Sequence, residues 1–218
     1  MTIIVSDDDE DADYSPFSFL NESVKDDVLN IAHDYRYQKM AYYVSMHAEM
    51  CGCHVTPSVT DILDTHRNPL LIARAAKAGI PCMTSRLVTE YEKGLYPSVL
   101  FAVNPYTCNS VSPVTGKYQA MNTIKSLSVG YKFPVSVQPL KSKIFEAVEI
   151  FGHTTNKDAQ ELTSKFYEEF HIPIGKILYQ IEDDVPKLSH FEPCTVKEVD
   201  WKLVKEMIRS NIYKSINK

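Results

Sequence analysis

Apolar residues fall in short runs whose spacing changes along the chain, and that change separates strands from helices. Ile3-Ile4-Val5 reads as a first strand. The acidic run Asp7-Asp8-Asp9-Glu10-Asp11, with Asp13, follows at once. Self-repulsion keeps such a run solvated, so residues 6–16 are expected to form a mobile acidic segment rather than a metal site. Val28-Leu29-Asn30-Ile31-Ala32 is compact and apolar and reads as a buried strand. Met40, Val44, His47, Ala48 and Cys51 then recur at helical spacing and make one apolar stripe. Gly52 supplies the stop. His54–Thr56 reads as the next strand, broken by Pro57, and Ser58 or Thr60 caps a short helix through Leu63. Strand, helix and strand at this spacing form a βαβ unit and imply parallel pairing.

Pro69 and Gly79 bracket a further helix over 68–79. From Pro81 to Pro139 the pattern weakens under frequent proline and glycine, and only Ser98–Val103 stands out as a strand. It sharpens again with a strand over Ile144–Phe151, a helix striped by Leu162, Phe166 and Phe170 and ended by Pro173, and a strand over Lys176–Ile181. Asp200 caps a last helix faced by Trp201, Val204, Ile208 and Ile212. The whole reads as one α/β domain over 1–218, with a Rossmann-like, mostly parallel sheet flanked by helices; α+β is the alternative.

Composition narrows the function classes. Hydrophobic residues make up 44% and charged residues 23%, as in globular chains. No apolar run is long enough to cross a bilayer, and the start lacks the basic region of a signal peptide. Five irregularly spaced cysteines argue against a disulfide framework, so the expected setting is the cytoplasm. The net charge is −5 and no basic stripe is present, so nucleic acid is not an expected partner.

The candidate chemistry centres on the strand-to-helix junction His33-Asp34-Tyr35-Arg36-Tyr37. Ligands of open α/β sheets sit beyond strand carboxyl ends, beside helix N-termini that attract anions. Arg36 there suits a carboxylate or phosphate, with Tyr35, Tyr37, Tyr42 and Tyr43 as walls. Equally, the tyrosines pack at the sheet edge and Arg36 pairs with Asp34 or Glu49. No glycine-rich phosphate loop is present. His47, Cys51, Cys53 and His54 do not have a specific zinc spacing and lie on the apolar face, so they read as core. Cys82 and Cys108 fall in expected loops without a nucleophile signature. Gly152-His153-Thr154-Thr155 reads as helix capping or as a turn that touches a ligand. No metal or cofactor is expected.

Two stretches together resemble a known family. The first runs from Val28-Leu29-Asn30-Ile31 through Tyr35-Arg36-Tyr37 and Ala41-Tyr42-Tyr43-Val44-Ser45 to Ala48-Glu49 and His54-Val55-Thr56-Pro57-Ser58-Val59. The second is Ile150-Phe151-Gly152 with Thr154-Thr155, followed by Gln160, Leu162, Phe166, Phe170 and Pro173. Their order and spacing are similar to the RimK-like ATP-grasp N-terminal (RLAN) family. Ala32 and His33 stand where cysteine and a basic residue are common, so a thiol role there does not carry over. The resemblance implies ligand-binding candidates at Asn30, Tyr35, Arg36, Tyr37, Tyr42, Tyr43, Ser45, Glu49, Ser58, Gly152, Thr154 and Thr155. In the family this domain usually precedes a ligase that joins amino acids or peptides. Here the chain ends at Lys218, so ligation by this chain alone is not expected.

Three readings follow. The first is an accessory module of ATP-grasp ligation that recognises an amino-acid or peptide carboxylate, or docks with a separately encoded ligase. The second is a small enzyme of peptide metabolism using Glu49, His33 or His153 as acid–base groups, although no complete catalytic motif is present. The third is a structural interaction protein with an exposed tyrosine patch.

Overall fold

The computed structural model describes residues 2–7, 11–104 and 111–210. The chain forms two compact units. One comprises the residues up to Leu63, Ala147–Lys176 and those from Pro193; the other comprises Asp64–Glu146 and Ile177–Glu192.

The first unit is built on three parallel strands, β1 (Thr2–Val5), β2 (Asp27–Asn30) and β3 (Val55–Thr56), in that order. A single turn of helix, α1 (Pro16–Phe19), connects β1 to β2, and α2 (Met40–Met50) connects β2 to β3. The two-residue period of a strand divides the sheet between two cores. Ile3, Val5, Val28 and Val55 face Phe19, Val44 and Ala48. Leu29 and Ile31 face the other way, toward Ile150, Phe151, Tyr167, Val204 and Met207. Of these partners Tyr167 comes from α6 (Gln160–Phe170), Val204 and Met207 from α7 (Trp201–Arg209), and Ile150 and Phe151 from the end of a strand and the turn after it. Asp200 caps α7 through the amides of Lys202 and Leu203, as its sequence position predicts.

Between these come α3 (Val59–Thr65), α4 (Asn68–Lys77) and the second unit. Its sheet is antiparallel throughout, ordered β4-β7-β5-β6: β4 (Arg86–Val88), β5 (Ser98–Ala102), β6 (Val111–Val114) and β7 (Val135–Pro139). The helix α5 (Lys117–Leu127) lays Ala120, Ile124 and Leu127 on Leu100, Val114 and Val135. Under this sheet a buried polar network joins Asn68, Ser136, Gln138 and Ser189. His190, buried beside Asn68, has its imidazole pushed down to about 3 by burial and by the nearby His66. A third sheet, β10-β9-β8, uses β8 (Phe145–Ile150), β9 (Ile174–Glu182) and β10 (Val185–Glu192).

The α/β class holds, but among the described residues the parallel sheet is the three-stranded β1-β2-β3, beside a four-stranded antiparallel one, so parallel pairing does not dominate. The middle of the chain, expected to be loop-rich, holds β4, β6, β7 and α5. Four of its prolines stand at strand ends or in an edge strand, where proline is tolerated. Pro97 and Pro134 precede β5 and β7, Pro139 closes β7, and Pro113 lies in the edge strand β6.

Asp8, Asp9 and Glu10 of the acidic run lie outside the described residues, as do Cys108 and Ile212. On the flanks, the Asp13 carboxylate accepts the Ile4 amide at 2.8 Å, and Asp11 pairs with Lys205 and Arg209, each at 3.4 Å. No helix among the described residues is long and apolar enough to cross a membrane.

Candidate functional site

The ends of β1 and β2 and the first turn of α2 enclose a groove of about 190 Å³. Asp7 follows β1; Ala32, His33 and Asp34 follow β2; Lys39, Met40 and Ala41 begin α2. Asn30 holds this corner together. Buried, it donates to the Ala41 carbonyl at 2.7 Å and to Ser45 Oγ at 3.0 Å, while its own Oδ1 accepts the Ala32 amide. Ser45 passes the connection on, donating to the Pro57 carbonyl at 2.7 Å. Ser45→Ala should therefore cost about 1–2 kcal/mol in chemical denaturation. A cost near zero would remove Ser45 from the support of this corner.

Arg36 forks onto Asp34, with Nε donating to Oδ1 at 2.7 Å and Nη2 to Oδ2 at 2.6 Å. Both side chains are about 30% exposed. Burial works to raise the Asp34 carboxyl, but the guanidinium outweighs it and holds the group below the usual carboxylate range. This is the Arg36–Asp34 pairing that the sequence left open. The turn Arg36-Tyr37-Gln38-Lys39 closes with the Lys39 amide on the Arg36 carbonyl at 2.9 Å. It places Gln38 at φ 64, a left-handed conformation that a non-glycine residue adopts at a cost. The strained turn delivers Lys39, an exposed cation, to the N-terminus of an eleven-residue helix. There its charge adds to the positive end of the helix dipole, beside the Asp7 and Asp34 carboxylates.

The tyrosines divide. Tyr37, Tyr42 and Tyr43 form an edge-to-face series with ring centroids 5.2 and 5.6 Å apart. Tyr35 is fully buried, and its hydroxyl donates to the Asn30 carbonyl at 2.8 Å.

Tyr35 also opens a second constellation, which joins the two stretches that carried the resemblance. Glu149, in β8, is fully buried, and its Oε2 accepts the Gly152 amide at 2.8 Å. Its Oε1 has no hydrogen-bond partner among the described residues. Burial holds this carboxyl well above its ordinary range, with only the Gly152 amide opposing. Tyr35 and Tyr167 are both raised, by burial first and by the nearby Glu149 next. Gly152 is fixed in turn, its carbonyl accepting Gln160 Nε2 and Thr163 Oγ1 at 2.9 Å each.

Of the remaining candidates, Thr154 gives its amide to Gln160 Oε1, Thr155 is exposed, Ser58 caps α3 through the Asp61 amide, and Glu49 accepts the Val59 amide. The groove thus gathers Arg36, through Asp34, with Lys39 and His33. Asn30, Tyr35, Ser45 and Gly152 spend their polar groups inside the fold. Sequence reasoning placed Asp7 only in the solvated acidic run and passed over Lys39 and Glu149. Glu149 left a trace, as a carboxylate inside an apolar strand run.

The chain from residue 14 to residue 209 matches the model of the RimK-like ATPgrasp N-terminal domain. The chain belongs to that family. No curated protein matches the sequence. Among solved structures, the RimK domain protein ATP-grasp from Sphaerobacter thermophilus superposes with a TM-score of 0.59 at 12% identity, over 88% of this chain and 91% of that one. The D-alanine–D-alanine ligase from Bacillus anthracis gives 0.60 at 11% identity, over 99% and 93%. That from Coxiella burnetii gives 0.54 at 13%, over 78% of this chain but only 59% of the ligase. At these identities the likeness to ATP-grasp proteins is one of fold. This RimK-like domain shares it across both of its units, since the longest of these alignments covers nearly all of the chain.

Proposed function

We propose that the protein is a recognition module of ATP-grasp peptide or amino-acid ligation, which receives the carboxylate of its substrate, or of a separately encoded ligase partner, in the groove at the ends of β1 and β2. The observation that carries this reading is the placement of Lys39 on the positive end of α2, where both line the groove. A carboxylate there meets a cation and the positive end of the helix dipole together. The Arg36–Asp34 fork supports it indirectly, by neutralising an acid that would otherwise repel an anionic ligand. Asp7 on the same rim suits the ammonium of an amino acid or peptide. Membership of a family named for its place beside ATP-grasp ligases supplies the reaction context.

Calorimetric titration with amino acids and dipeptides tests the reading. Lys39→Ala is expected to weaken binding about ten-fold, equivalent to about 1.4 kcal/mol, with the unfolding curve unchanged. Arg36→Ala should weaken it as well, because Asp34 then stands uncompensated. Binding that both variants leave intact would refute the assignment. Capture of the tagged protein from its own cells should recover an ATP-grasp ligase if the carboxylate belongs to a partner.

A further inference from the structure

Among the described residues, β3 pairs only with β2, which makes it the outer strand of the parallel sheet. The register determines which of its backbone groups are used. Val28 and Leu29 stand opposite Val55 and Thr56, and the Val28 amide donates to the His54 carbonyl at 2.8 Å. In a parallel ladder a residue bonds to the two neighbours of the residue opposite it. The His54 carbonyl and the Thr56 amide therefore serve Val28. The N–H and C=O of Val55, between them, turn to the outer edge.

That edge borders a cavity of about 370 Å³, lined by His54, Val55 and Thr56 together with Glu49, Asp61 and His171. Two carboxylates, Glu49 and Asp61, belong to this lining. Glu49 is exposed in the last turn of α2, where a carboxylate adds to the negative end of the helix dipole and works against the helix. Asp61 is only 8% exposed, accepts the Ser58 hydroxyl at 2.7 Å and lies 3.6 Å from His171 Nδ1. His171 reaches this position from a left-handed cap at the end of α6, with φ 51.

A backbone donor and acceptor beside two carboxylates, in a cavity of this size, suit one kind of occupant. We propose that the cavity takes an extended peptide segment carrying a lysine or arginine, by addition of a strand to β3. The Val55 N–H and C=O pair with the peptide backbone. Glu49 and Asp61 hold the ammonium or guanidinium. The site differs from the strand-end groove in elements and in the charge it selects, and it does not rest on the carboxylate reading.

The probe is an acetylated, amidated five-residue peptide of alternating threonine and valine around a central lysine. Its binding to the isotopically labelled full chain is followed by two-dimensional NMR and calorimetry. The Val55 and Thr56 amides are expected to shift on saturable binding. Affinity should fall about ten-fold or more when the central lysine becomes glutamate, an effect of about 1.4 kcal/mol. It should fall as far when the pairing backbone nitrogens are methylated, and N-acetyl-lysinamide should bind far more weakly than the peptide. Glu49→Lys, with its spectrum unchanged away from the cavity, should reverse the preference in favour of the glutamate peptide. Equal binding of the lysine and glutamate peptides overturns the proposal. So do undiminished binding of the methylated peptide and silence of the Val55 amide at millimolar concentrations.

Discussion

Gly152→Ala is expected to destabilise the protein by about 2–4 kcal/mol in urea denaturation. Two costs combine at this position. Gly152 sits at φ +78, where an L side chain is strained. A Cβ added there would lie 3.1 Å from Tyr167 Cβ and 3.3 Å from Ser164 Cα, so α6 would have to move away. That movement would disturb Tyr167, which packs edge-to-face on Phe151 at 5.9 Å, and would loosen the two side chains that donate to the Gly152 carbonyl. Gly130→Ala provides the control. Its φ is +67, but nothing lies within 4 Å of the added Cβ, so only the backbone strain of about 1 kcal/mol applies. If the two substitutions cost the same, the close approach of the Phe-Gly turn to α6 has no energetic weight.

Glu149→Gln should leave stability near pH 4 almost unchanged and raise it progressively as the pH rises. The native carboxyl is held well above its ordinary value by burial. An unfolded glutamate releases its proton near 4.3. Between that point and the raised native value the folded protein binds a proton that the unfolded chain does not, so stability falls as pH increases, by up to about 1.4 kcal/mol per pH unit. Glutamine keeps an acceptor for the Gly152 amide and cannot ionise, so its profile lacks this slope. Denaturation midpoints of the two proteins measured from pH 4 to pH 8 should therefore diverge upward in favour of glutamine. Parallel profiles would mean that Glu149 ionises in the native state as readily as in the unfolded chain. Comparing the pair cancels every other titrating group.

Elements with long apolar stripes and clear end signals were legible in the sequence: the β2–α2–β3 unit, α6 before Pro173, and α7 behind Asp200. Those hidden by proline or by polar surface were not. In α5, Ala120, Ile124 and Leu127 keep helical spacing, but Lys117, Gln119, Asn122 and Lys125 surround them. The hairpin joining β9 to β10 turns on Asp183 and Asp184, both at positive φ, where asparagine–glycine would have announced it. The site was legible as a place before it was legible as chemistry. The junction after β2 was found, and Arg36 with it. Which polar groups face a ligand depends on tertiary partners that sequence does not reveal: Asn30 and Ser45 are consumed by Ala41 and Pro57, and Tyr35 by Asn30. Glu149 shows the converse, since its environment is assembled from residues scattered along the chain.

The discontinuity of the first unit bears on how the protein is made. Its strands are synthesised first, yet Leu29 and Ile31 share their core with Val199, Val204 and Met207 near the far end of the chain. At 5–20 residues per second, β2 leaves the ribosome on the order of ten seconds before the helix that covers it. Until then Leu29 and Ile31 have only the earlier part of their cover, Ile150, Phe151 and Tyr167, and lack Val204 and Met207, while Val28 and Val55 can already find Val44 and Ala48 on the other face. A nascent chain stopped short of α7 is expected to leave part of this core open to solvent.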